Sequence, residues 1–107
     1  MPFQKTVKRS DLPPGQKKIV EINGLEIALF HLKRGIFAVS NICPHSGGAL
    51  GEGFVSGSEI TCPLHFWQFN LETGRSSRPR DFRIETYPVK IEKEWIWLDL
   101  PEEDSGT

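Results

Sequence analysis

The chain has 107 residues, enough for one domain around one core and too few for a second catalytic module. Hydrophobic residues at 37% and charged residues at 25% are the balance of a globular protein and exclude a disordered one. Thirteen Lys and Arg against fourteen Asp and Glu leave a net charge of −1, which disfavours nucleic acid and anionic membranes as partners.

The N-terminal stretch MPFQKTVKRSDL lacks the apolar centre of a signal peptide. No apolar run approaches the roughly 20 residues that cross a bilayer. A cytoplasmic protein without a membrane partner is the expectation. Residues 3–8 alternate weakly. Residues 17–22, KKIVEI, lead into Asn23-Gly24, a two-residue hairpin signal, and residues 25–32, LEIALFHL, form the return strand. Lys33, Arg34 and Gly35 make the next turn, and residues 36–42 the third strand of a meander.

From Cys43 to Ser58 the strands are interrupted by a stretch holding Gly47, Gly48, Gly51, Gly53 and Gly57. Glycine lets backbone approach a bulky object closely, so this loop is expected to wrap a cofactor. Short strands resume at 59–62 and 66–71, with a turn at 72–75. Segments 84–92 and 94–100 make a final pair. Period-two alternation puts Tyr87, Val89 and Ile91 on one face, Trp95 and Trp97 on another, and Ile96 and Leu98 opposite them. Pro88 cannot donate to a ladder and marks an edge or bulge. No segment shows a helical apolar stripe. The expectation is an all-β domain over residues 1–100, of short antiparallel strands, followed by a frayed acidic tail at 101–107.

The glycine-rich stretch lies between two mixed pairs: Cys43-Pro44-His45, sixteen residues, then Cys62-Pro63-Leu64-His65. Two cysteines in a reducing compartment more often bind metal or act in catalysis than form a disulfide. A Cys43–Cys62 disulfide would leave both histidines unexplained. Two thiolates and two imidazoles suit either zinc or an iron–sulfur centre. Zinc sites more often pair Cys with Cys and His with His, each on its own element. One Cys and one His per pair suits two metals that must be told apart, and a zinc-bound interaction module is the remaining alternative.

The spacing C-x-H…C-x-x-H, with CPHSGGALGEG and ITCPLH…F…TG around it, resembles the Rieske [2Fe–2S] signature of soluble bacterial-type ferredoxins. The run FRIETYPVKIE is similar to the segment beyond the second ligand pair in ferredoxins of dioxygenase systems and in the small subunit of assimilatory nitrite reductase. The resemblance implies three stacked antiparallel sheets with two cluster-binding loops at one tip. By position, it assigns Cys43 and Cys62 to an inner iron and His45 and His65 to an outer one. His31 falls outside the motif and is expected to be structural or at the surface.

Neutral imidazoles in place of two thiolates remove negative charge, so an added electron meets less repulsion; Rieske potentials accordingly span about −150 to +300 mV, against about −400 mV for plant-type ferredoxins. In high-potential members, hydroxyl residues come soon after the second histidine and an extra cysteine in each loop forms a disulfide. Here Trp67 and Phe69 stand in the hydroxyl places and there are no further cysteines. A potential at the low end, on the order of −150 mV, is expected.

The sequence departs from the resemblance at Phe66, where glycine is usual. Phe66 is either part of an apolar docking surface or the start of a core strand; Trp67 is expected to be core or to shield the cluster. Asn70 replaces a common aspartate and is read as turn chemistry. Pro79, in GRSSRPRDFR, matches a loop that covers the cluster from a third side. Arg75, Arg78, Arg80 and Arg83 around it form a solvated basic loop or steer the chain toward an acidic partner. With no dinucleotide fingerprint and no nucleophile–base set, the reading is a one-electron carrier and not an enzyme. It implies a flavin-dependent reductase as donor and a terminal oxygenase or reductase as acceptor. The alternative is a Rieske small subunit held inside a larger reductase, such as assimilatory nitrite reductase.

Overall fold

The structure is a computed structural model that describes residues 3–42, 49–63, 67–78 and 82–100. Eleven strands occur among these residues: β1 (Phe3–Lys8), β2 (Lys17–Ile22), β3 (Leu25–Leu32), β4 (Gly35–Ser40), β5 (Phe54–Ser56), β6 (Glu59–Thr61), β7 (Gln68–Asn70), β8 (Ser76–Arg78), β9 (Thr86–Tyr87), β10 (Val89–Glu92) and β11 (Trp95–Asp99). They form three antiparallel sheets, ordered β1-β11-β10, β2-β3-β4-β9 and β5-β6-β7-β8. The all-β expectation is met. The only helical pieces described are single 3-10 turns at Arg9–Asp11 and Leu50–Glu52.

The middle sheet owes its place to β3. Ile27, Ala28, Leu29 and Phe30 are four apolar residues in a row, and all are buried. Alternation sends them to opposite faces, so this strand must be covered on both sides. Ile27 and Leu29 enter a core with Ala38, Tyr87, Ile96 and Leu98, beneath the first sheet. Ala28 and Phe30 enter a second core with Val39, Leu50, Ile60, Cys62, Phe69, Leu71 and Ile84, beneath the third. Burying each such Leu, Ile or Phe contributes about 1.5–3 kcal/mol, and these two cores hold the layers together.

The first hairpin obeys its turn chemistry. Asn23 and Gly24 both take left-handed φ values, 56° and 78°, as the two-residue turn requires, and β2 and β3 pair over six residues on each side. The next turn differs slightly from expectation. Leu32 pairs with Gly35, so Lys33 and Arg34 alone make the turn and Gly35 opens β4.

Pro88 splits the segment read as one strand over 84–92. Tyr87 pairs with Ala38 in the middle sheet, whereas Val89 pairs with Leu98 in the first. The missing N–H is therefore at the crossing between two sheets, where no ladder bond is needed. Across that crossing Tyr87 and Val89 still pack into the same core, Tyr87 buried and Val89 half-buried, while Ile91 is exposed. The last strand matches its reading, with Ile96 and Leu98 wholly buried and Trp95 and Trp97 on the outer face. There Lys5 stacks over Trp95, with its ammonium 4.5 Å from the ring centre.

Candidate metal centre

Beside the second core, pairing between flanking residues closes the base of each of three chain segments. The first spans residues 43–48. Ile42 and Ala49 bridge across its base, and the Leu50 N–H donates to the Asn41 carbonyl at 2.7 Å. The second runs from Pro63 to Phe66 in the β6–β7 connection. The Cys62 N–H donates to the Trp67 carbonyl at 2.7 Å, directly above the Thr61–Gln68 pair. The third lies beyond β8: Ser76 and Phe82 exchange backbone N–H to carbonyl and N–H to hydroxyl bonds of 2.8 and 3.0 Å, and Arg75 bridges Arg83.

Packing joins the three bases. Leu50, at the end of the first segment, and Cys62, at the start of the second, belong to the same buried core. Trp67 packs against that core and meets the Phe82 ring at 4.6 Å between centroids, linking the second base to the third. Phe82 itself is 45% exposed, so the aromatic pair runs from the core to the surface. Trp67 is thus half-buried against the core, as its sequence position suggests.

Of the four predicted ligands, Cys62 is described. Its side chain is wholly buried among Leu50, Ile60, Phe69 and other apolar residues at the mouth of the second segment. A thiol in that position is shielded from solvent and from casual oxidants, which suits an inner ligand to a buried metal. Cys43, His45 and His65 lie outside the described residues, as do Phe66, Pro79, Arg80, Gly47, Gly48 and the tail 101–107. Arg75 and Arg83 are exposed and sit opposite each other across the third base.

The glycine-rich stretch is less of a loop than expected. Residues 50–52 form a 3-10 turn and Phe54–Ser56 a strand, with Gly57 at φ 62° in the β5–β6 turn. Gly53 is needed for close packing: a β-carbon there would collide with the Thr61 carbonyl. Gly51 and Gly53 allow close packing and Gly57 allows its turn, while Gly47 and Gly48, on which the expected wrapping of a cofactor also rests, lie outside the described residues. Strand β5 escapes a sequence reading because Phe54, Val55 and Ser56 are all exposed and show no alternation.

His31 is structural. Its Nδ1 lies 2.8 Å from the Leu12 carbonyl, which can only accept, so Nδ1 carries the proton and the ring ties β3 to the end of the first 3-10 turn. Asn70 is turn chemistry, as expected: its Oδ1 accepts the Glu72 and Thr73 N–H groups at 2.8 and 3.1 Å. One residue of the site is absent from the sequence reading. Asn41 is 1% exposed and bonds both sides of the first base. Its signal is a polar residue ending an apolar strand two positions before Cys43.

Comparison with known proteins gives consistent results. The Rieske-like [2Fe–2S] domain matches residues 2–99. A Ralstonia sp. protein, the ferredoxin component of naphthalene 1,2-dioxygenase/salicylate 5-hydroxylase systems, is 41% identical over 84% of this chain and 88% of its own. In a solved complex of reduced oxygenase and oxidized ferredoxin in carbazole 1,9a-dioxygenase, one chain superposes with a TM-score of 0.81. It is 26% identical over 90% of this chain and 91% of that one. A nitrite reductase small subunit from Mycobacterium tuberculosis has the same fold, with a TM-score of 0.81 over 91% of this chain and 93% of its own, at 24% identity.

Proposed function

Because the chain belongs to the Rieske-like [2Fe–2S] domain family, we propose that Cys43, His45, Cys62 and His65 are its cluster ligands and that it delivers electrons to a terminal oxygenase. The cofactor is a Rieske-type [2Fe–2S] cluster, which supplies reversible one-electron chemistry when bound, and the protein is an electron carrier rather than a catalyst. The observation that carries the ligand assignment is the wholly buried Cys62 at the base of one closed segment, sharing a core with Leu50 at the base of the other. The shared core supports bringing the two Cys-and-His segments to one cluster, whose ligands a donor set of two thiolates and two imidazoles fits.

The chain's own part is to hold, shield and expose. Cys62 and its neighbours exclude water from the inner side. Trp67 and Phe69 offer no hydroxyl to a sulfur, which favours a potential on the order of −150 mV. The exposed Ile42 and Phe82 flank the bases of the first and third segments and give a partner an apolar rim. We take residues 1–100 as one domain and 101–107 as an acidic tail, with a cytoplasmic location. The donor in this reading is a flavin-dependent reductase. The oxygenase reading is favoured over a subunit role in nitrite reductase because the oxygenase-system relative shares 41% identity, whereas the nitrite reductase subunit shares the fold alone.

Iron, acid-labile sulfide and an EPR spectrum of the dithionite-reduced protein test the assignment. Two irons and two sulfides per chain are expected, with an average g below the free-electron value. Cys62→Ser is expected to abolish the signal; a variant that kept both irons and the same spectrum would remove Cys62 from the ligand set.

A further inference from the structure

The base of the first segment is anchored by one polar side chain that is almost wholly buried. Each of the four polar atoms of Asn41 makes a hydrogen bond. Its backbone N–H donates to the Glu26 carbonyl at 2.9 Å, and its own carbonyl accepts the Leu50 N–H at 2.7 Å. Its Oδ1 accepts the Gly51 N–H at 2.6 Å, and its Nδ2 donates to Glu26 Oε1 at 3.1 Å. The amide orientation is fixed by its partners, since the Gly51 N–H only donates and the Glu26 carboxylate accepts. Three pieces of chain thus converge on one residue: β3 at Glu26, the strand end entering the segment, and the 3-10 turn leaving it.

Gly51 shows how tight this point is. A β-carbon on it would lie 2.5 Å from Ile19 Cγ1 and 2.9 Å from Asn41 Oδ1. Aspartate would lack the donor for Glu26, and serine would lack a second polar atom. An apolar residue would leave the Gly51 N–H unpaired in a buried place, which is costly. Asn is the short side chain that donates on one side and accepts on the other.

We propose that Asn41 is a positioning residue for the cluster: with Glu26 and Gly51 it fixes the separation and angle of the two ends of segment 43–48, and so places Cys43 and His45. This inference rests on the ligand assignment above. It does not require Asn41 to touch the cluster.

The test exchanges donor and acceptor. In Asn41→Asp, two carboxylates face each other where an N–H once bridged. In Asn41→Asp combined with Glu26→Gln, the glutamine amide restores a donor to the pair. Glu26→Ala, at an exposed position, removes the partner and leaves the fold intact. The readouts are the rate of iron release to a chelator from the as-isolated holoprotein and the g values of the reduced cluster. Asn41→Asp is expected to release iron about tenfold faster or more, and Glu26→Ala about threefold faster. The double variant is expected to return to within about twofold of wild type, with wild-type g values. If the double variant releases iron as fast as Asn41→Asp, or if Glu26→Ala matches wild type, the positioning role is overturned while the ligand assignment stands. A wild-type chain purified without iron and sulfide overturns both.

Discussion

Strands β3 and β7 face the same core from opposite sides, yet they are held there by different means. β3 has eight residues, pairs with β2 and β4 over six positions each, and is buried on both faces. β7 has three residues and pairs over three positions with β6 and two with β8; Phe69 is its one wholly buried residue. A ladder that short is marginal by itself. The third sheet therefore depends on Phe69, Ile60 and Leu71 packing onto Ala28 and Phe30, whereas the middle sheet carries its own register. Cys62 and Leu50 belong to the core between the dependent sheet and the independent one, so under the proposed ligand assignment a bound cluster and the second core would stabilise each other.

Deleting one buried side chain from each core tests that asymmetry and is the largest effect expected. Phe69→Ala empties the second core and Leu29→Ala the first, at about 3–5 and 2–5 kcal/mol respectively. Both should lower the melting temperature by comparable amounts. Below the melting point, only Phe69→Ala should speed iron release and alter the EPR line shape. Equal disturbance of the spectrum by both variants would mean that the two cores act as one unit with respect to the cluster.

The same asymmetry governs what the sequence discloses. β2, β3, β4 and β11 are legible to within a residue or two because long strands have room to alternate and their turns are chemically marked, as at Asn23-Gly24. Strands β5 and β8 are not legible. Phe54, Val55 and Ser56 are exposed, and Ser76–Arg78 presents no apolar pattern. Both are strands because a neighbour's backbone offers partners, a tertiary cause that leaves no local trace. Pro88 shows an intermediate case: its missing donor marks an interruption in the sequence, but only the sheet pairing reveals that the chain changes layers there. At the candidate site, the spacing singles out Cys62 as a proposed ligand, and the structure shows it buried in the second core. Asn41 is not, because its role comes from Glu26 and Gly51, fifteen and ten positions away.

A smaller effect comes from titrating one group at each interface. Arg34, in the β3–β4 turn, donates to Glu72 Oε2, which also accepts from the Ser58 hydroxyl at 3.1 Å, so one carboxylate ties the middle sheet to two turns of the third. The Arg34 bond holds Glu72 below its ordinary value of 4.5. A carboxyl with a lowered folded-state pKa stabilises the protein above 4.5, and this contribution disappears as pH falls through the folded value. At the other interface, burial first and the Glu85 charge second raise Tyr87 above 10.0. Its contribution is complete below 10.0 and is lost as pH rises through the higher folded value. Melting temperature against pH should therefore fall less on the acid side in Glu72→Gln and less on the alkaline side in Tyr87→Phe. The acid effect should shrink in high salt, since the pair is exposed. Insensitivity of either arm to its substitution would remove that group as the cause.

The smallest effect is expected in the first sheet, whose core does not include Cys62. Glu92 pairs with Trp95, so Lys93 and Glu94 form a two-residue turn between β10 and β11, and Lys93 takes a φ of 58°. The Asn23-Gly24 turn reaches the same region with residues suited to it; Lys93 does so with a β-carbon that crowds the adjacent carbonyl. The geometry persists because β10 and β11 pair over four positions and because the Arg9 N–H donates to the Glu94 carbonyl at 2.8 Å, fastening the turn to the end of β1. Lys93→Gly relieves the strain and adds freedom to the unfolded chain. These oppose each other, leaving a net gain of about 0.5 kcal/mol. Lys93→Asn keeps a side chain and tolerates the left-handed region, so it should gain at least as much. Neither should change iron release or the reduced EPR spectrum, because among the described residues the first sheet packs into a core separate from the one that holds Cys62. A shift in either cluster readout on relieving a turn in the first sheet would show that the layers are coupled more tightly than their cores imply.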